Sequence, residues 1–194
     1  MVSAEPGSRF AGIRRSAAQT RVLDAALALI AEHGVSGTSL QMIADRIGVT
    51  KAAVYHQFKT KDDIVIALTE RELGGLEGAL EAAEAAPDHL SGRDMLLSRV
   101  VDLAVERRRM VSVLQFDPVI VRVLAEHPPF GRFIDRLYAT MLGEETGARA
   151  RVHAAMLSGV ISVAVMHPLV SDIDDDTLRE ELRRTMRRIV DLPE

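Results

Sequence analysis

The chain has 194 residues, 47% of them hydrophobic and 27% charged, with only 7 prolines; such a composition can bury a core, which excludes a disordered or fibrous chain. It contains no cysteine, which excludes a disulfide framework or a thiolate metal site and fits a reducing compartment. No apolar run approaches the roughly 20 residues a membrane-spanning helix needs, and Met1 to Gly12 lack a secretory apolar stretch, so the expectation is a cytoplasmic protein with no membrane partner.

The net charge of -4 argues at first against nucleic acid, but its distribution does not. Residues 1–61 carry eight basic side chains against four acidic ones, a balance of +4, so the remainder carries -8. A basic head on an acidic body is the asymmetry expected when one end meets DNA.

Residues 1–13 mix Ser, Gly, Pro and isolated apolar residues without period, which predicts a flexible arm with Arg14 and Arg15 at its base. From Thr20, Val22, Leu23, Ala26, Leu27 and Ile30 recur at helical spacing, and Gly34 is placed as a left-handed C-cap. Thr38 or Ser39 caps a short second helix, Thr38 with Gln41 making a capping-box pattern ahead of Ile43, Ala44 and Ile47. Thr50 caps a third, Lys51 to Gln57, and Thr60 with Asp62 and Asp63 starts a fourth that runs to Ala85. Pro87 and Gly92 precede a helix starting near Ser91; Asp117-Pro118, Pro128-Pro129, Gly143 and Gly147 punctuate two more. Ala148 to His167 is apolar nearly all round and therefore expected to be buried on nearly all sides, and Thr177 to Asp191 is amphipathic. The prediction is an all-α fold of about nine or ten helices.

Leu40 to Lys61 carries the most information. Ala44 is small where a second helix must cross, Gly48 can take positive φ in the turn, and Ile43, Ile47, Val49, Val54 and Phe58 hold two short helices at a fixed angle. Thr50, Lys51, Ala52, Ala53, Tyr55 and His56 are left to face outward. This is helix-turn-helix patterning, with the second helix as the major-groove reader.

At Ser39, Ile43, Ala44, Gly48, Val49, Thr50, Tyr55, Phe58 and Lys61 the chain resembles the TetR family of regulators, whose pattern has threonine where Ser39 stands. The resemblance covers residues 20 to 68, about a quarter of the chain. It implies a helix-turn-helix DNA-binding domain over residues 14–60 and an effector-binding and dimerisation domain over 61–194. It also implies phosphate contacts from the Tyr55 hydroxyl and from Lys61 at the start of the fourth helix. Gln41, Thr50, Lys51 and His56 are candidates for base edges or nearby phosphates, Ala52 or Ala53 for a thymine methyl, and Arg14 and Arg15 for the adjacent backbone or minor groove, with Ser39 and Lys59 also expected among the DNA-binding residues.

In such regulators the last two long helices form an intersubunit four-helix bundle, which would place Ala155, Ser158, Gly159, Ser162, Leu178, Leu182, Met186 and Ile189 at a homodimer interface. The middle helices would enclose a pocket lined by Leu97, Val101, Phe116, Ile120, Val123, Phe133, Leu137 and Met156, suited to an apolar or amphipathic effector. The expected function is therefore a homodimeric repressor released from a pseudo-palindromic double-stranded DNA operator by a small molecule, the alternatives being an activator or a partner-regulated DNA-binding protein of the same fold.

No cofactor is expected, and no nucleophile elbow, phosphate loop or HExxH motif suggests an enzyme. His153 and His167 read as core or interface histidines rather than metal ligands, and no metal site is expected. Asp172, Asp174, Asp175 and Asp176 lack an EF-hand pattern and read as helix capping. Arg107, Arg108 and Arg109 suit a helix C-terminus.

Overall fold

The computed structural model describes residues 10, 12–108, 117–143 and 147–190. Among the described residues there is no strand; there are nine α-helices and one 3-10 turn, in keeping with the helical periodicity. They are α1 Ala17–Gly37, α2 Leu40–Ile47, α3 Lys51–Gln57, α4 Lys61–Glu84, α5 His89–Glu106, α6 Pro118–Ala125, α7 Pro128–Leu142, α8 Gly147–Ala164 and α9 Asp175–Ile189, with the 3-10 turn Pro168–Val170 before α9. None among the described residues is long and apolar enough to cross a membrane.

The chain divides into two compact units, one of residues 1–74 and 113–130, the other of 75–112 and 131–194. In the first, the core is Val22, Leu23, Ala26, Leu29 and Ile30 of α1, Ile43 and Ala44 of α2, Val54 and Phe58 at α3, Ile64, Val65 and Leu68 of α4, and Ile120, Val123 and Leu124 of α6. These apolar positions repeat every three or four residues, so each helix turns one stripe inward. Phe10, expected in a flexible arm, is buried, with the Ile13 amide donating to its carbonyl.

Local chemistry sets the corners of this unit. Ser16 and Gln19 form a reciprocal capping box at the start of α1. Gly34 takes φ +69° and ψ 170°, breaking the helix where a left-handed cap is expected, and one further turn carries α1 on to Gly37. Its peptide break leaves the Val35 amide without a helical carbonyl, and Asp117 Oδ2 accepts it at 2.8 Å. The same carboxylate caps α6 through Oδ1, accepting from Val119 and Ile120. The capping box expected at Thr38 does not form: Thr38 is buried with its hydroxyl donating to Gly34 O at 2.8 Å, and Ser39 caps α2 alone.

In the second unit, Leu96, Leu97, Val101, Ala104 and Val105 of α5 meet Leu178, Leu182 and Met186 of α9, with Phe133, Leu137, Met141, Leu157 and Ile161 completing the core. Ion pairs flank that packing: Asp94 with Arg187, Asp102 with Arg183 and Arg179, and Arg108 with Asp175. Arg93 donates to Met141 O and Val190 O, satisfying the loose carbonyls at the ends of α7 and α9. α5 starts at His89, near Ser91 as expected, and Asp88 caps it, because its carboxylate accepts from both Leu90 and Ser91. Asp174 caps α9, so the aspartate run serves capping as read from the sequence. Gly92 lies where a Cβ would come 2.5 Å from Ala83 O, so the approach of α5 to α4 there requires glycine.

Candidate nucleic-acid interface

Helix α3 has one buried residue, Val54, and is closed by buried Phe58; Lys51, Ala52, Ala53, Tyr55 and His56 are all exposed. It is held away from α2 by a three-residue turn in which Gly48 sits in the left-handed region at φ +69°, its amide donating to Ala44 O and Asp45 O. Thr50 then caps α3, its hydroxyl accepting from the Ala53 amide at 3.2 Å. One apolar anchor per turn thus fixes a seven-residue helix whose remaining faces are free to meet a groove.

The other predicted contact residues divide. Ser39 and Gln41 are exposed at the start of α2; Ser39 caps the helix, and Gln41 donates to Asp45 Oδ1 at 2.7 Å, which leaves its amide oxygen outward. Arg14 is exposed, whereas Arg15 is not available to the duplex in this structure: its side chain is 14% exposed and pairs with Glu70 at 2.6 Å. Lys61 stands at the start of α4, as expected. Its Nζ donates to Val35 O at 2.9 Å and reaches Ser36 O at 3.5 Å, a cation at the C-terminal end of α1, where Val35 O also accepts from the Thr38 amide. Tyr55 is 51% exposed, and Lys59 Nζ lies 4.7 Å from the centre of its ring. Their spacing of four residues was the available clue to that pairing.

The residues assigned to the pocket separate as well. Leu97, Val101, Phe133 and Leu137 are buried in the second unit, whereas Ile120 and Val123 belong to the core of the first, because α6 turns its apolar stripe toward α1. Phe116 lies outside the described residues. Met156 is 52% exposed. Near Leu137, burial pushes the Tyr138 phenol above its ordinary pKa, a hydrogen bond with Ser158 acting against it.

Of the predicted interface residues, Leu178, Leu182 and Met186 are buried inside the chain against α5, and Ser162 is buried with its hydroxyl donating to Ser158 O. Ala155 is exposed, and Ser158, Gly159 and Ile189 are half-buried. The exposed apolar side chains of this region are instead Val152, Met156, Val163 and Met166. With half-buried Gly159 between them, Val152, Met156 and Val163 step by four, three and four along α8, so that this helix, expected to be buried on nearly all sides, leaves one apolar stripe exposed; Met166 follows just beyond its end. His167 is exposed as well, its Nδ1 accepting from the Leu169 amide, and is not a core histidine. Among the described residues no group of His, Asp and Glu is arranged to hold a metal ion.

A short exposed helix bearing lysine, tyrosine and histidine, locked behind a glycine turn, defines a helix-turn-helix DNA-binding protein. The sequence pattern of the bacterial regulatory proteins of the tetR family matches residues 22–68. The chain is 40% identical over 111 residues to the HTH-type transcriptional regulator AcrR of Shigella flexneri, covering 53% of this chain and 51% of that one. It is 33% identical over 160 residues to the uncharacterized HTH-type transcriptional regulator YvkB of Bacillus subtilis, covering 77% and 82%. The crystal structure of the transcriptional regulator FadR from Bacillus subtilis in complex with stearoyl-CoA superposes with a TM-score of 0.66 at 20% identity, over 90% of this chain and 99% of that one. The chain belongs to the tetR family of bacterial regulatory proteins. The match to AcrR spans only about half of that relative's length.

Proposed function

We propose that the chain is a homodimeric, sequence-specific repressor that leaves a pseudo-palindromic operator when a small apolar or amphipathic molecule binds its second unit. The observation that carries this reading is the exposed face of α3, Lys51, Ala52, Ala53, Tyr55 and His56, on a helix anchored by Val54 and Phe58. Lysine and tyrosine supply phosphate contacts that set register, while the alanines and His56 are short enough to lie against base edges. Residues 14–60 carry those contacts, and 61–194 the effector and dimer functions, with α6 built into the core of the head.

Support for a dimer is the α8 stripe of Val152, Met156, Gly159 and Val163, whose four-three spacing suits helix-on-helix packing with a second copy. An isologous contact of that kind pairs two copies of α3, and a two-fold operator offers them successive major grooves about one helical turn apart. Support for an apolar effector is the side-chain set Leu97, Val101, Phe133 and Leu137 with Tyr138 as a single polar handle, on a fold shared with a regulator crystallised with stearoyl-CoA. The effector acts by binding one conformation more tightly than the other, which shifts the population away from the DNA-competent state.

The test is fluorescence anisotropy of the purified chain on the DNA upstream of its own gene and on a scrambled duplex, at about 150 mM salt, where sequence-independent affinity is weak. Preference for the upstream duplex, weakened by Tyr55→Phe, is the expected result. Equal weak binding to both duplexes overturns the specific-regulator reading.

A further inference from the structure

The first unit holds a cleft that neither α3 nor the proposed effector set uses. Its volume is about 330 Å³, and it is lined by Phe10, Ile13 and Arg15 ahead of α1, Thr20 on α1, and Arg71 and Gly74 on α4. That volume lies at the lower end of the range for small-molecule sites. Arg71 and Gly74 stand three residues apart and so share a face of α4, where Gly74 adds no side chain to the wall.

The lining is half apolar and half cationic. Phe10 is buried, whereas Ile13 is 42% exposed, a large apolar side chain left in solvent beside the cleft. The polar lining is two guanidinium groups with donors to spare. Arg15, whose side chain is 14% exposed, gives only Nη2, to Glu70 at 2.6 Å. Arg71 gives Nε to Glu72 at 3.0 Å and Nη1 to Asp24 at 2.7 Å. A guanidinium can donate from each of its nitrogens, so among the described residues Arg15 keeps Nε and Nη1, and Arg71 keeps Nη2, for a further acceptor.

The neighbouring carboxylates set the competition. Glu72 is buried beside Arg71 and stays paired with it, and Asp24 is 64% exposed, where water screens its charge. An incoming carboxylate therefore competes chiefly with Glu70, for Arg15.

We propose that this cleft binds a small amphipathic carboxylate, with its carboxylate on Arg15 and Arg71 and its hydrocarbon end on Phe10 and Ile13. Arginine suits that task because its planar fork meets a carboxylate through paired N–H groups. The site shares no residue with the side-chain set offered to an effector in the second unit, and it does not depend on how α3 meets DNA.

The test is an amide proton–nitrogen correlation NMR titration of the full-length, isotope-labelled chain with sodium octanoate. Sodium acetate and octylammonium chloride are the comparisons, and thermal melts verify that each variant folds. Octanoate is expected to shift the amides of Phe10, Ile13, Thr20 and Gly74 along one saturating curve. Acetate lacks the hydrocarbon end and octylammonium the carboxylate, so neither should saturate there. Glu70→Gln removes the competing partner of Arg15 and should tighten octanoate by about two- to fivefold, the worth of one partly exposed ion pair. Adding Arg15→Gln to Glu70→Gln should weaken it by about tenfold or more, because a hydrogen bond to a charged group is lost. Ile13→Ser should weaken octanoate as well, through the apolar contact alone.

Octanoate shifts confined to residues of the second unit overturn the proposal. So do octylammonium shifts at the cleft equal to those of octanoate, or one affinity for Glu70→Gln with and without Arg15→Gln. A purely structural role for the Arg15–Glu70 pair predicts weaker binding in Glu70→Gln, the opposite sign from the proposal.

Discussion

Replacing Asp117 by alanine removes two things at once. Its Oδ1 caps α6 through Val119 and Ile120, and its Oδ2 holds the Val35 amide at the Gly34 break. Loss of an aspartate cap costs about 0.5–2 kcal/mol. A buried N–H left unpaired costs about 1–3 kcal/mol, and Val35 is 1% exposed. Together the expected loss is roughly 2–4 kcal/mol, or about 5–15 °C in melting temperature for a chain of this size. Asp117→Asn separates the parts: the amide oxygen still caps α6, while the NH2 faces the Val35 N–H, so only the second cost remains. Chemical denaturation gives the total, and hydrogen exchange at Val35 reads the local part, which should rise in both variants. A loss below about 0.5 kcal/mol in the alanine variant with unchanged protection at Val35 would refute the reasoning.

Gly92→Ala places a Cβ 2.5 Å from Ala83 O and should destabilise the second unit by about 1–3 kcal/mol, measured by urea denaturation. Hydrogen bonds from the Thr177 amide and hydroxyl hold the Asp174 carboxyl below its ordinary pKa. Its folded value is thus below its unfolded one, so the stabilisation is complete above about pH 4 and is lost as pH falls through the folded value. Asp174→Asn should then differ from wild type at pH 7 and converge on it toward pH 3 in denaturation midpoints. Met156→Glu combined with Val163→Glu puts charges on the α8 seam, where both side chains are exposed, and should give a folded monomer by light scattering while wild type is a dimer.

The all-helical fold and the helix-turn-helix were legible because they rest on local chemistry. Gly48 had to supply positive φ, Thr50 a cap, and Val54 and Phe58 the inward anchors, and the structure uses each in that way. The helices beyond were legible as periodic stripes, but a stripe does not name what it packs against. Leu178, Leu182 and Met186 meet α5 of their own chain, and Ile120 and Val123 join the core of the head. Met156 was assigned inward because it is large and apolar, although its four-three spacing with Val152, Gly159 and Val163 marks a separate seam. Lys61 and Arg15 have contacts within the chain that the sequence did not announce. Both are cations in a basic head, and only the folded chain brings Val35 O to one and Glu70 to the other. Thr38 was read as a cap from its spacing to Gln41, whereas the carbonyl exposed by the Gly34 break accepts its hydroxyl first.

The most direct test of the central claim, that paired α3 helices read a two-fold site in the major groove, is a hydroxyl-radical footprint with guanine-N7 methylation interference on the bound DNA. The account predicts two symmetric protected patches with interference in successive major grooves, about 10 base pairs between centres. A single patch, or continuous protection without major-groove interference, would contradict it.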